Sequence, residues 1–242
     1  MSIDILIIVA ITSFIQSIFG VGVLLYGTPL LLLQGYSFIY AVTILLPISI
    51  VINLFQISKD YKSIDFGFYK NILIYSIPVV VIFLSVVINF TINIDIIIGI
   101  FLIFVSAKNY HYKVNKVINS LIRYEKVYFI IMGIVHGLTN LGGAILAAII
   151  HSKGYEKHIT RVTIGASYAT FAFFQILTLL VFNQRIDITL WMISIYLFVS
   201  ILIYIITEKT IFIDIDNYKY HIIFTVLLFI TGVLLLIKSI LS

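Results

Sequence analysis

Neutral polar side chains gather around two glycine-rich interruptions in stretches of sequence that are otherwise apolar. They are Thr12, Gln16, Gly20 and Gly22 in the first half of the chain and His136, Thr139, Asn140, Gly142 and Gly143 in the second. A glycine interruption exposes backbone N–H groups and starts a new helix, whose N-terminus favours negative charge. Hydroxyl and amide groups add further donors. The residue types therefore predict a binding site for a small oxyanion, held by neutral donors rather than by a full positive charge.

The spacing of these residues places them on shared helical faces. Thr12, Gln16 and Gly20 follow one another at intervals of four, and so do His136 and Asn140. Gln56 and Gln175 occupy equivalent positions in the two halves, each on a polar stripe, and are predicted to line one central cavity. The alternative is that the glycines only permit close helix packing and that the glutamines join neighbouring helices.

His136 is the one ionisable side chain deep in an apolar segment. Its unperturbed pKa of about 6.5 suits a ligand or a proton carrier, whereas the alternative is a neutral, hydrogen-bonded packing residue. The acidic residues lie at segment ends or in loops, which argues against a cation site. No histidine pair has the spacing of a haem or zinc site, and there is no cysteine. No metal and no cofactor are predicted.

The composition requires lipid as the solvent. Of the 242 residues, 62% are hydrophobic and 10% are charged, compared with roughly 25% charged residues in soluble domains. The net charge of +5 is typical of basic loops on the cytoplasmic side of a membrane. No basic stripe with interleaved aromatic residues is present, so no nucleic-acid partner is expected. The N-terminus lacks the basic region of a cleaved signal and is interpreted as a retained membrane helix.

The fold class predicted is an all-α, polytopic integral membrane protein with about eight transmembrane segments in two repeats, containing glycine-broken or re-entrant helices. The apolar segments are Ile3–Leu33, Phe38–Ile57, Tyr69–Phe90, Ile94–Ala107, Val127–Ile150, His158–Phe182, Ile188–Ile206 and His221–Leu241. A span needs about 20 apolar residues. The first segment exceeds that length, so we expect the chain to bend or turn back between Gly20 and Pro29.

The basic stretch 108–126 divides the chain into a first membrane repeat, 1–107, and a second, 127–242. At an offset of 119 residues, Gly35-Tyr36 matches Gly154-Tyr155, and Phe55-Gln56 matches Phe174-Gln175. Such duplication is common in secondary transporters. Even numbers of crossings would make the repeats parallel, and a re-entrant segment could make them inverted.

Alternating loops place ten Lys and Arg residues on one side of the membrane and five on the other. The positive-inside rule then predicts a cytoplasmic linker at 108–126 and two cytoplasmic termini in the cell membrane. Arg161 lies near the start of the sixth segment, after Lys153 and Lys157. The favoured interpretation is that it reaches towards the membrane surface, and the alternative is that these basic residues draw anions to an entrance.

The sequence resembles the TauE/SafE sulfite exporter family of membrane permeases. The motifs that carry the resemblance are Gly20-Val-Gly22 through Pro29-Leu30, with Gly35 and Ala41, and then Gly133, Gly137, Thr139, Gly142-Gly143, Gly154 and Gly165-Ala-Ser167. The chain departs from the family pattern at Val23 and Ala148. The resemblance covers nearly the whole chain and implies transport of sulfur-containing or related small organic anions, often as export.

The hypothesis is a secondary transporter, not an enzyme, that moves a small anion by alternating access. Its predicted partners are the anion and the lipid bilayer, with a coupling ion and an oligomeric state left undefined. The alternatives are a non-transporting membrane partner or assembly factor, which needs no solvated polar cavity, and a membrane-embedded enzyme. The scattered histidines and the lack of acidic residues within the segments argue against the enzyme.

Overall fold

The computed structural model describes residues 2–90, 93–107, 116, 120–182, 184, 189–210 and 217–241, and the elements of these parts are helices. In the first half, α1 spans Ile3–Phe19, α2 Val23–Leu33, α3 Phe38–Asp60, α4 Phe66–Tyr75, α5 Ile77–Asn89 and α6 Ile94–Ser106, with a 3-10 turn at Tyr61–Ser63. In the second half, α7 spans Glu125–Thr139, α8 Gly142–Ser152, α9 Lys157–Val181, α10 Leu190–Thr210 and α11 Asn217–Leu241.

Four helical stretches are long and apolar enough to cross a membrane. They are Phe38–Ser58, Phe66–Asn89, His158–Val181 and Trp191–Glu208, and shorter apolar helices accompany them. Large apolar side chains such as Ile82, Leu180 and Phe198 are exposed on the outer surface. An apolar exterior around these helices is stable only in lipid, so the prediction of a polytopic, all-helical membrane protein is confirmed.

Ile3–Leu33 forms a helical hairpin, which we call the first hairpin. α1 ends at Gly20, whose φ of 73° lies in the left-handed region. Glycine adopts that conformation without steric cost. α2 then runs back towards the start of α1. This direction is shown by the Tyr36 hydroxyl, just beyond the end of α2, which donates to the Asp4 carboxylate at the start of α1, at 2.6 Å. The over-long first segment therefore turns back.

The segment predicted to span from Val127 to Ile150 is also a hairpin, the second hairpin, formed by α7 and α8. α7 ends at Asn140, which has a φ of 64°. The Tyr128 hydroxyl donates to the Ile145 carbonyl at 2.7 Å, and Lys153 pairs with Glu125 at 2.8 Å. The start of α7 thus lies beside the end of α8. This stretch is two antiparallel helices, and the count of about eight crossing segments is not reproduced.

The contacts define two ends of the helix bundle. At the termini end, Lys238 near the end of α11 pairs with Asp95 at 2.9 Å and also donates to the Leu32 carbonyl. At the linker end, Asp65 accepts a hydrogen bond from Tyr155. Because both hairpins return to the end where they begin, the termini lie opposite the ends of α6 and α7 that flank the linker. This arrangement differs from the expectation that termini and linker share one side.

The helices pack in pairs taken from both halves. The most extensive contacts join α3 to α9 and α6 to α11, and two further pairs are α1 with α10 and α5 with α7. At the crossing of α6 and α11, a Cβ on Gly99 would approach the Gly232 carbonyl oxygen to 3.1 Å. Small residues at this crossing let the two backbones meet closely.

Candidate functional site

The tip of the first hairpin is held by Gln16. Its Oε1 accepts from the Val23 N–H at the start of α2, at 2.9 Å, and its Nε2 donates to Asn53 Oδ1 on α3, at 2.9 Å. Asn53 Nδ2 in turn donates to Ser49 Oγ at 3.1 Å. The side chains are buried. This chain of hydrogen bonds fixes the returning helix against α1 and α3.

Close approach of backbones explains the glycine at position 22. A Cβ on Gly22 would stand 2.5 Å from Gln16 N and 2.6 Å from Thr12 O, a collision that no rotamer change could relieve. The Thr12 hydroxyl donates to the Ile8 carbonyl at 2.8 Å, within its own helix. Gly20 therefore supplies the left-handed turn, and Gly22 allows the backbone of the returning helix to pack against the backbones of Thr12 and Gln16.

The tip of the second hairpin is held by His136 in the corresponding way. The Gly142 N–H donates to His136 Nδ1 at 3.2 Å, and His136 Nε2 lies 3.2 Å from Gln175 Oε1 on α9. A backbone N–H can only donate, so Nδ1 carries the lone pair and the proton of the neutral ring is on Nε2. That nitrogen then donates to Gln175. This arrangement favours the neutral, hydrogen-bonded reading of His136 over a proton carrier.

Thr139 and Asn140 form the turn itself. The Thr139 hydroxyl donates to the Val135 carbonyl at 2.6 Å and accepts from the Leu141 N–H at 3.2 Å. Asn140 Nδ2 donates to Thr28 Oγ1 on α2, at 2.9 Å. The second tip therefore touches the returning helix of the first hairpin, so the two interruptions lie close together in the structure.

Tyr168 belongs to this tip although the sequence did not single it out as a binding residue. Its hydroxyl occupies the space of a side chain at position 143, since a Cβ on Gly143 would lie 1.2 Å from Tyr168 Oη. The Tyr168 ring meets the His136 ring edge-on, with 5.8 Å between the centroids. The polar stripe that Tyr168 shares with Gln175 on α9 was the available signal.

Three buried polar atoms at this tip have no hydrogen-bond partner among the described residues: Asn140 Oδ1, Tyr168 Oη and Gln175 Nε2. We call them the tip cluster. Leaving a buried donor or acceptor unpaired costs about 1–3 kcal/mol, so such atoms in a native fold call for an explanation. The start of α8 lies beside them, with Gly143 against the Tyr168 hydroxyl. Asn140 Oδ1 can accept, Gln175 Nε2 can donate and Tyr168 Oη can do either, so each of them could bond to a polar ligand.

Gln56 lies at the other tip. Its Nε2 donates to the Arg161 carbonyl at 2.5 Å and stands 3.4 Å from a Cβ built on Gly20. Gln175, by contrast, contacts His136. The two glutamines thus serve different tips, and the single cavity predicted from their equivalent positions stays a prediction.

The apolar exterior, the crossing helices and the two hairpins with buried polar tips define a multi-pass helical membrane protein. Residues 5–235 match the model of the family described as sulfite exporter TauE/SafE. The chain belongs to that family, which is a family of membrane transporters. No curated protein and no solved structure matches the chain.

Proposed function

We propose that the chain is a secondary transporter that exports a small anion by alternating access, the anion being a sulfur oxyanion, an organosulfonate or a similar small organic anion. The observation that carries the proposal is the tip cluster. Tyr168 Oη and Gln175 Nε2 can donate to anion oxygens, and Asn140 Oδ1 can accept from a hydroxyl of a partly protonated oxyanion. The N-terminus of α8 adds a favourable potential for negative charge.

The packing supports two inverted repeats, 1–107 and 127–242. Exchanging the halves maps α1 onto α7, α3 onto α9, α5 onto α10 and α6 onto α11. The contact of α1 with α10 then becomes that of α7 with α5, while α3–α9 and α6–α11 map onto themselves. Each half has one hairpin and three crossings, with α4 and α5 counted as one. An odd number of crossings reverses the second repeat, an arrangement that places substrate sites at the repeat interface.

Charge supports an orientation with the linker end in the cytoplasm. Most of the basic residues of the described helices and turns belong to that end: Lys59, Lys62, Lys70, Lys116, Arg123, Lys126, Lys153, Lys157, Arg161, Lys209 and Lys219. Lys238 belongs to the termini end, and Lys108, Lys113 and Arg185 lie outside the described residues. The positive-inside rule therefore favours a cytoplasmic linker, with both termini on the opposite side.

Cysteine labelling tests this topology, because the chain has no cysteine of its own. In intact cells, an impermeant maleimide should label Ser2→Cys and should label Asn115→Cys only after permeabilisation. The reverse pattern would invert the orientation. Labelling of both variants from outside would show that termini and linker share a side, which contradicts the hairpin topology.

Transport in proteoliposomes tests the function. The purified protein should move sulfite, thiosulfate, sulfonates or small carboxylates down a gradient, and liposomes without protein provide the background. Right-side-out and everted membrane vesicles separate export from import. No movement of any of these anions by folded protein would favour the alternative of a non-transporting membrane partner.

A further inference from the structure

A buried ion pair joins α9 and α10 at the linker end. Arg161 Nη2 lies 2.7 Å from Glu208 Oε1, and the two side chains are 13% and 8% exposed. The same nitrogen donates to the Tyr204 hydroxyl at 2.5 Å, and the guanidinium lies over the Tyr204 ring, 5.7 Å from its centroid. Arg161 therefore does not extend along the membrane surface as the sequence suggested.

This ion pair lies beside the tip of the first hairpin. Arg161 Cγ is 3.6 Å from a Cβ built on Gly20, and the Arg161 carbonyl accepts from Gln56. The side chains described at the first tip are neutral, and among these contacts the Arg161 guanidinium is the charge nearest to the tip. An anion that reaches this tip from the linker end would meet Arg161.

The fold does not require the pair. At the offset of 119 residues, Arg161 corresponds to Val42 and Glu208 to Asn89, so the first repeat forms without charges at these positions. Removing two ions from water costs several kcal/mol each, and well-packed apolar residues often stabilise a protein as much as a buried pair does. Stabilisation of the fold is therefore a weak explanation for the presence of this ion pair.

We propose that Arg161 is a second oxyanion-binding group, at the linker end of the transport route. The Glu208 carboxylate occupies the position of the anion on Arg161 until the transported anion displaces it. A guanidinium presents planar donors that match the oxygens of a carboxylate or another oxyanion. The Glu208 carboxylate is itself such an oxyanion, held within the chain. The inference rests on the proposed anion transport and adds a site at the opposite hairpin from the tip cluster.

Three variants test the proposal by sulfite binding in detergent and by sulfite flux in proteoliposomes. Glu208→Gln removes the competing carboxylate and should strengthen sulfite binding. Arg161→Gln should weaken it about ten- to 150-fold, the equivalent of about 1.5–3 kcal/mol for hydrogen bonds to a charged group. The double variant, which contains no unpaired charge, should fold and still bind as weakly as Arg161→Gln.

Asp95→Asn is the matched control, because it removes the acidic partner of Lys238 from a half-buried pair at the opposite end. It should leave sulfite affinity unchanged. If Glu208→Gln and Arg161→Gln weaken binding alike and the double variant restores it, the pair is structural and the proposal is overturned. Failure of the wild type to bind or move any anion would instead refute the proposed function.

Discussion

Replacing Tyr168 with phenylalanine separates ligand binding from stability more cleanly than any other change at the second tip. The Tyr168 hydroxyl is buried and has no hydrogen-bond partner among the described residues. Tyr168→Phe keeps the ring and its contact with His136 and deletes only the unpaired oxygen. The protein without its substrate therefore loses no internal hydrogen bond.

The two expected effects have opposite signs. An unpaired buried hydroxyl costs about 1–3 kcal/mol, so its removal should leave the free energy of unfolding unchanged or raise it by up to that amount. A hydrogen bond from the same hydroxyl to an anion contributes about 1.5–3 kcal/mol, so affinity should fall about ten- to 150-fold. The variant should be at least as stable as the wild type and a much poorer transporter.

Tyr128→Phe is the matched control, since the Tyr128 hydroxyl donates to the Ile145 carbonyl in the same hairpin. Its removal should lower stability by about 0.5–1.5 kcal/mol and leave affinity for the anion near that of the wild type. Thermal unfolding in detergent and concentration-dependent flux in proteoliposomes measure the two quantities. Unchanged flux through Tyr168→Phe, or a clear loss of its stability, would refute the reasoning that assigns this hydroxyl to the ligand.

Two further predictions concern the turn of the second hairpin and the linker end. Asn140→Gly keeps the left-handed backbone and deletes the amide, so it should reduce anion affinity and lower stability by about 0.5–1.5 kcal/mol for the lost hydrogen bond to Thr28. Asn140→Ala should cost roughly 1–2 kcal/mol more in stability than Asn140→Gly. Unchanged anion affinity in Asn140→Gly would remove this side chain from the site. Burial opposes ionisation of Asp65, but hydrogen bonds from the Phe68 N–H and the Tyr155 hydroxyl outweigh it and hold the pKa of that carboxyl below its ordinary value. The stabilisation is present above about pH 3.9 and is lost as pH falls through the lower, folded-state pKa. The difference in melting temperature between the wild type and Asp65→Asn should therefore shrink on acidification, and a constant difference would contradict this account.

The sequence predicts the solvent, the helical class and the positions of the interruptions, because each depends on local composition. It predicts the direction of the chain after an interruption less well. Ile3–Leu33 is too long for one span, which signalled a turn. Val127–Ile150 has the length of a single crossing, so nothing in its composition distinguishes a span from a hairpin. That difference changes the parity of the crossings and moves both termini to the other end of the bundle.

The candidate binding residues also differ in how far the local sequence predicts them. Gly22 and Gly143 follow from the sequence as places where the backbone is interrupted, but what approaches them depends on distant helices. Tyr168 meets Gly143 only because α9 packs beside the second hairpin, so its polar stripe indicates the helix face but not the residue that it contacts. Arg161 and Glu208 likewise become a pair only through the packing of α9 and α10.

The two hairpin tips share a pattern of hydrogen bonds as far as the long crossing helix and differ beyond it. In each, a polar side chain four residues before the turn accepts from the first N–H groups of the returning helix and donates to a long crossing helix: Gln16 to Asn53, and His136 to Gln175. At the first tip the chain of bonds continues to Ser49, and Gln56 Oε1 at that tip has no partner among the described residues. At the second it stops at Gln175 Nε2. The position equivalent to Ser49 is Tyr168, whose hydroxyl is also unpaired. The duplicated scaffold thus leaves buried hydrogen-bonding capacity at both tips: the amide oxygen of Gln56 at the first, and atoms of Asn140, Tyr168 and Gln175 at the second, where a ligand would satisfy more of it.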